Sequence, residues 1–140
     1  MATDAVPLRD DLGKLILRLT VGGLLLFHGV AKLRNGIGWM GEPLGTFGIP
    51  MFVGYGVYIA EVACPFLLFL GVMTRAAGLI IAFDLFMAIL LVRRDGVFQV
   101  SQMGGSWAIE IEAFFLLTAI AVFLLGSGRF AMRPSKGMLD

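Results

Sequence analysis

The sequence predicts an all-α membrane protein, a four-transmembrane-helix bundle, on three observations. Hydrophobic residues make up 59% of the 140 and charged residues only 15%, with a mean hydropathy of +0.92, whereas soluble domains run at roughly 45–50% and 25%. The apolar residues gather into four runs, each close to the ~20 residues that cross a bilayer. The connections between the runs are too short to hold a second domain, so residues 1–140 read as a single transmembrane domain.

The first run spans about 13–33, beyond a polar start that carries Pro7. It is too long for the apolar core of a signal peptide and lacks a small-residue cleavage site, so it is expected to be an uncleaved first helix. Residues 34–50, rich in Gly and Pro, break the helical pattern and form the longest loop, with Trp39 suited to a membrane interface. The second run spans about 51–73, and a tight turn at Thr74 and Arg75 leads into the third, about 76–92, making an antiparallel hairpin. A polar connector then precedes the fourth run, about 107–125, which leaves through Gly126, Gly128, Arg129, Arg133 and Pro134 in the manner of a terminating helix.

With both termini and the 74–75 turn on one side, that side holds Arg9, Lys14, Arg18, Arg75, Arg129, Arg133 and Lys136 against Lys32, Arg34, Arg93 and Arg94 opposite. The excess of cations places both termini in the cytoplasm. A net charge of +1 offers no basic surface for nucleic acid. Cys64 is the single cysteine, which excludes an internal disulfide and a CxxC redox pair.

Function is sought in the ionisable residues inside the apolar runs, because such groups are costly in hydrocarbon, turn inward and mark sites. His28 and Lys32 are four apart on one face of the first helix. Arg18 falls near that face at the opposite interface, where it is placed to snorkel, while His28 is too short to snorkel and is expected inside the bundle. Glu61 lies near mid-depth of the second helix, and Pro65 four residues later removes the donor to its carbonyl. One turn then presents a carboxylate, a free carbonyl and the Cys64 thiol; the alternative is a structural kink with Glu61 paired to Lys32 or His28. Asp84 is near the middle of the third helix, and Glu110 and Glu112 enter the fourth roughly 200° apart, so one of the two faces the bundle. These residues predict one outward-half pocket in which acids outnumber bases, an arrangement suited to proton-coupled chemistry. Their spacing matches no metal-ligand motif.

The chain resembles the DoxX family of small four-span bacterial inner-membrane proteins. The segments that carry the resemblance are FHGVAKL (27–33), FGIP (47–50), AEVACPFLLFLGVMTRAAGL with Glu61, Gly71 and Arg75, and the fourth-run acid followed by LLGSGRF. The exit Gly126-Ser127-Gly128-Arg129 departs from the family's usual Gly-Pro-Gly-Arg. The single fourth-run acid of the family corresponds to Glu110 by its distance from Gly126, with Glu112 the other choice. The resemblance implies a redox-linked membrane subunit with a quinone site, dependent on a redox partner protein or on assembly as a homo-oligomer. In that role His28, Lys32 and Glu61 would act on the ligand, supported by Asp84 and Glu110 or Glu112. A non-catalytic scaffold and a small-molecule or ion transporter are the other classes open to such a chain.

Overall fold

The computed structural model describes residues 7–133 and Gly137. Its helices are α1 (Leu8–Asn35), the short α2 (Gly41–Thr46), α3 (Met51–Leu70), α4 (Thr74–Val92) and α5 (Glu110–Leu125). Two 3₁₀ turns, Gly38–Met40 and Arg94–Gly96, sit in the loops. Among the described residues the only β pairing is an isolated bridge between Val100 and Trp107. The expected all-helical class is therefore what the chain adopts.

The long helices alternate in direction. Arg18 meets Leu68 while Lys32 meets Glu61, so α1 and α3 are antiparallel; Gly78 meets Phe123 while Arg93 meets Glu112, so α4 and α5 are too. One end of the bundle carries the 36–50 and 93–109 loops. At the other, the start of α1 and the chain beyond α5 come together, because Asp11 accepts hydrogen bonds from the Arg129 backbone N–H at 3.1 Å and from its Nε at 2.5 Å. Lys136, counted above with that end, lies outside the described residues.

Three helices, α1, α3 and α4, are long and apolar enough to cross a membrane. The fourth apolar run falls short of its expected extent: α5 begins at Glu110 rather than Trp107 and has 16 residues, about 24 Å at 1.5 Å per residue. Trp107 and Ala108 are spent on the preceding hairpin, where Ala108 N–H bonds Gln99 O at 3.0 Å and Trp107 Nε1 bonds Val97 O at 2.8 Å. Large apolar side chains such as Phe27, Phe83, Phe114 and Leu117 point outward, the inverse of a soluble protein and the surface a bilayer would cover.

The core is close packing of large side chains with small ones between the helices. Val21 and Leu25 of α1, Cys64 and Leu68 of α3, Ala77 and Ile81 of α4, and Phe115 and Ala119 of α5 form one buried cluster. Since lipid is as apolar as these side chains, helix association rests on close fit, for which small residues at the contacts are needed. Gly78 lets α4 approach α5 so nearly that a Cβ there would stand 2.9 Å from Phe123 N. Gly29 does the same for α1 against α3: a Cβ would lie 2.8 Å from both the Glu61 carbonyl carbon and Val62 Cγ2. A π-helical stretch, Ile59–Ala63, occupies α3 at this point, one turn before Pro65, where the missing N–H disturbs the regular ladder.

Gly29→Ala is expected to lower the thermal unfolding midpoint in detergent, overpacking of roughly 1–3 kcal/mol outweighing the ~1 kcal/mol that alanine gains in a helix. Gly23→Ala, whose Cβ would meet nothing nearer than 4.0 Å, is expected to leave the midpoint unchanged or raise it.

Candidate functional site

One face of α1 carries Arg18, Gly22, Leu25, Gly29 and Lys32, alternate steps of four and three that keep a single seam pointed at a neighbouring helix. The two glycines sink the α1 backbone against α3, and the seam's charged ends then reach α3 directly. Lys32 Nζ bonds both carboxylate oxygens of Glu61. The Lys32 side chain keeps 20% of its surface exposed and that of Glu61 only 7%. Tyr58, one turn before Glu61 on α3, donates from its hydroxyl to the Lys32 carbonyl at 3.2 Å, which fixes the end of α1 against α3. Removing one member of such a pair strands a charge beside apolar walls, which is why it is the pair, rather than either residue, that the packing specifies.

Between α3, α4 and the 36–50 loop lies a cavity of about 440 Å³, with Lys32, Glu61 and Asp84 on its wall. The rest of the lining is apolar, with Val57 and Ala60 from α3, Ile80, Phe83, Met87 and Leu91 from α4, and Trp39, Met40, Leu44 and Ile49 from the loop. Its size and character, hydrophobic walls with a few convergent polar groups, are those of a small-molecule site. Among the described residues no cation stands within ion-pairing distance of Asp84, so it faces the cavity as a further acceptor.

Of the six candidate residues, five of them expected in one pocket because only one of Glu110 and Glu112 could face it, the structure brings three together, Lys32, Glu61 and Asp84. His28 is exposed rather than inside the bundle, its ring set edge-to-face on Phe115 at 5.9 Å. It lines a separate cleft of about 250 Å³ with Lys32, Asn35 and Trp39. The cause is helix phase: the buried position of the seam is 29, and residue 28 is rotated about 100° off it. Glu110 is exposed at the start of α5 and accepts the Trp107 N–H at 3.1 Å, tying the helix start to the loop before it. Glu112 pairs with Arg93 Nε at 3.1 Å. Neither fourth-run acid lines the cavity, because both serve the end of α5 where a negative charge also meets the helix dipole.

The turn around Pro65 also divides. The Glu61 carbonyl is covered by Gly29 and Cys64 packs into the core, leaving the carboxylate as the part of that turn that lines the cavity. Arg18, expected to snorkel, is buried instead, donating from Nη1 to Leu68 O at 2.9 Å and to Phe69 O at 3.4 Å, and from Nη2 to Phe130 O. Met40, Leu44 and Ile49 of the loop wall and Tyr58 were not singled out from the sequence, and Trp39 was read there only as an interface residue. The seven-residue spacing of Gly22 and Gly29 was the signal that could have located the seam.

Comparison with known proteins gives a family match and a curated relative. A family model described as DoxX matches residues 13–94, a segment that contains Lys32, Glu61 and Asp84. A Bacillus subtilis (strain 168) protein, provisionally named oxidoreductase CatD, is 32% identical over 124 residues, covering 89% of this chain and 87% of that one. No solved structure matches.

Lys32→Met is expected to lower stability in detergent by roughly 2–4 kcal/mol, below the full cost of an uncompensated buried charge because Lys32 retains some contact with water. Lys32→Met combined with Glu61→Gln is expected to recover part of that loss, as measured by thermal unfolding of both variants. Full additivity of the two single losses would show that the residues do not act as a pair.

Proposed function

The chain belongs to the DoxX family, and on that premise we propose that it is a redox-linked inner-membrane subunit that holds a quinone or a similar lipid-soluble redox molecule. The observation that carries this reading is the convergence of Lys32, Glu61 and Asp84 at an otherwise apolar cavity of about 440 Å³. A ring compound with polar oxygens and an apolar body matches such a lining. The relative's provisional name, an oxidoreductase, supports the same reaction class. On this reading α5, although short, is the fourth span, both termini are cytoplasmic, and a partner protein or a second copy completes the electron path.

When bound, a quinone would supply the electron-accepting chemistry that no side chain of this protein has. Lys32 would donate a hydrogen bond to a ring oxygen and stabilise negative charge developing there. Glu61 would hold the Lys32 ammonium in place. Asp84, on the same wall and free of an ion pair among the described residues, would exchange a proton with the ligand oxygen. The apolar residues of α4 and the loop would keep bulk water from the ring. His28 has no direct place in this contact because it lies in the neighbouring cleft, and Glu110 and Glu112 act on α5.

Extraction of the purified protein followed by mass spectrometry is expected to recover a quinone or related amphipathic ring compound. Lys32→Met and Asp84→Asn are expected to cut retention about tenfold or more, the loss of one charge-assisted hydrogen bond of ~1.5–3 kcal/mol, while Glu110→Gln leaves it unchanged. Recovery of no such compound, with titrated quinone failing to bind, would overturn the reading.

A further inference from the structure

Lys32 lines two cavities of opposite character. On one side is the apolar chamber between α3 and α4. On the other is the cleft of about 250 Å³ formed by His28, Ala31, Asn35, Gly36 and Trp39. The cleft follows from where α1 stops. The helix ends at Asn35, and Gly36, at a φ of 76°, donates its N–H back to the Lys32 carbonyl at 2.8 Å. The chain then turns away toward Trp39, leaving the last turn of α1 with His28 and Asn35 exposed. Four of the side chains lining the cleft, His28, Lys32, Asn35 and Trp39, carry groups able to hydrogen-bond to water.

Proton exchange at an ion pair needs a hydrogen-bonded route to water, and the apolar chamber offers none once a ligand fills it. Glu61 is nearly enclosed, so the more exposed Lys32 is the member of the pair that water can reach. His28 is exposed one turn deeper than Lys32, at a level where the adjacent Phe27 points outward among apolar residues. A polar ring at that depth has a reason to be there if the face it occupies is wet.

We propose that the His28 cleft is the aqueous entry to the Lys32–Glu61 pair: water and protons reach Lys32 through it, while the lipid-soluble ligand meets the same pair from the α3–α4 chamber. The proposal rests on the reading of Lys32 and Glu61 as the working pair of the site. It separates two paths that a single pocket would mix. His28 then positions water for Lys32 and does not touch the ligand.

The test is thiol labelling of single-cysteine variants in membranes, in a Cys64→Ala background, with a charged, membrane-impermeant thiosulfonate and with the neutral N-ethylmaleimide. His28→Cys is expected to react with the charged reagent about tenfold or more faster than Phe27→Cys at the same depth, because a charge is excluded from hydrocarbon. The reaction is expected from one face of the membrane alone. Met87→Cys, on the chamber wall, is expected to react with the neutral reagent and resist the charged one. Equal rates at positions 27 and 28, or equal charged labelling at 28 and 87, would overturn the proposal. Ala31→Cys and Asn35→Cys read the same cleft should His28→Cys fail to accumulate. Ligand retention is measured on the same membranes. Failure to retain a quinone removes the proposed ligand but leaves the labelling pattern to decide the water route, and retention with uniform labelling rejects the water route alone.

Discussion

The approach of α1 to α3 at Gly29 is the constraint on which the rest of the site depends. Pro65 withholds a donor from the Glu61 carbonyl, and the π-helical stretch 59–63 lies at the same point. In hydrocarbon a disturbed backbone must be covered by protein. The residue that covers it is a glycine, since a side chain on α1 there would collide with Glu61 and Val62. With the two backbones this close, Lys32, three residues on along the same seam, reaches the Glu61 carboxylate. The proline, the glycine and the ion pair are thus one arrangement.

The opposite end of α1 is held by charged groups as well. Asp11, Arg18, Leu25 and Lys32 recur every seven residues, and the three charged members each tie α1 to something distant in sequence. Asp11 holds Arg129, Arg18 gathers the carbonyls of Leu68, Phe69 and Phe130, and Lys32 holds Glu61. Arg18 suits its place because a guanidinium presents several donors in a fixed fork: Nη1 meets carbonyls at the end of α3, near the turn at Gly71, and Nη2 meets one in the segment after α5. The segment after α5 completes the closure, with Met132 N–H bonding Leu70 O at 2.9 Å. A bundle held at both ends by charge and in the middle by close packing can keep a cavity to one side of α3 without losing its register.

Helices were the legible part of this chain because an apolar run and its glycine or proline boundaries are local signals. The third run, expected at about 76–92, is α4 at Thr74–Val92, and the pairing of Lys32 with Glu61 was among the arrangements open from their depths. What could not be read locally was rotation about the helix axis. His28 and Lys32 share a face by the rule of four, yet a step of four still turns the helix by about 40°, enough to put one at the seam and leave the other in the cleft. The fourth-run acids misled for a related reason. A carboxylate within an apolar run looks buried in a hydropathy profile, but Glu110 and Glu112 stand at the first turn of α5, where they bond Trp107 N–H and Arg93. The loop wall of the cavity, Met40, Leu44 and Ile49, is tertiary contact with no periodic signature.

The proposed working site differs from a purely structural pair in Asp84. A buried pair that only fixed helix register would be complete with Lys32 and Glu61, bonded to each other and steadied by Tyr58. Such a pair has no use for a second carboxylate across the same space, since an extra acid without a cation adds desolvation cost and no bond. Asp84 sits in the middle of α4, flanked by Phe83 and Leu85. Nor does a structural pair require an apolar cavity of about 440 Å³ beside it, with Asp84 on the same wall. The carboxylate is a cost that register alone does not offset, and the proposed ligand, apolar with a polar end, would account for it and for the cavity beside it.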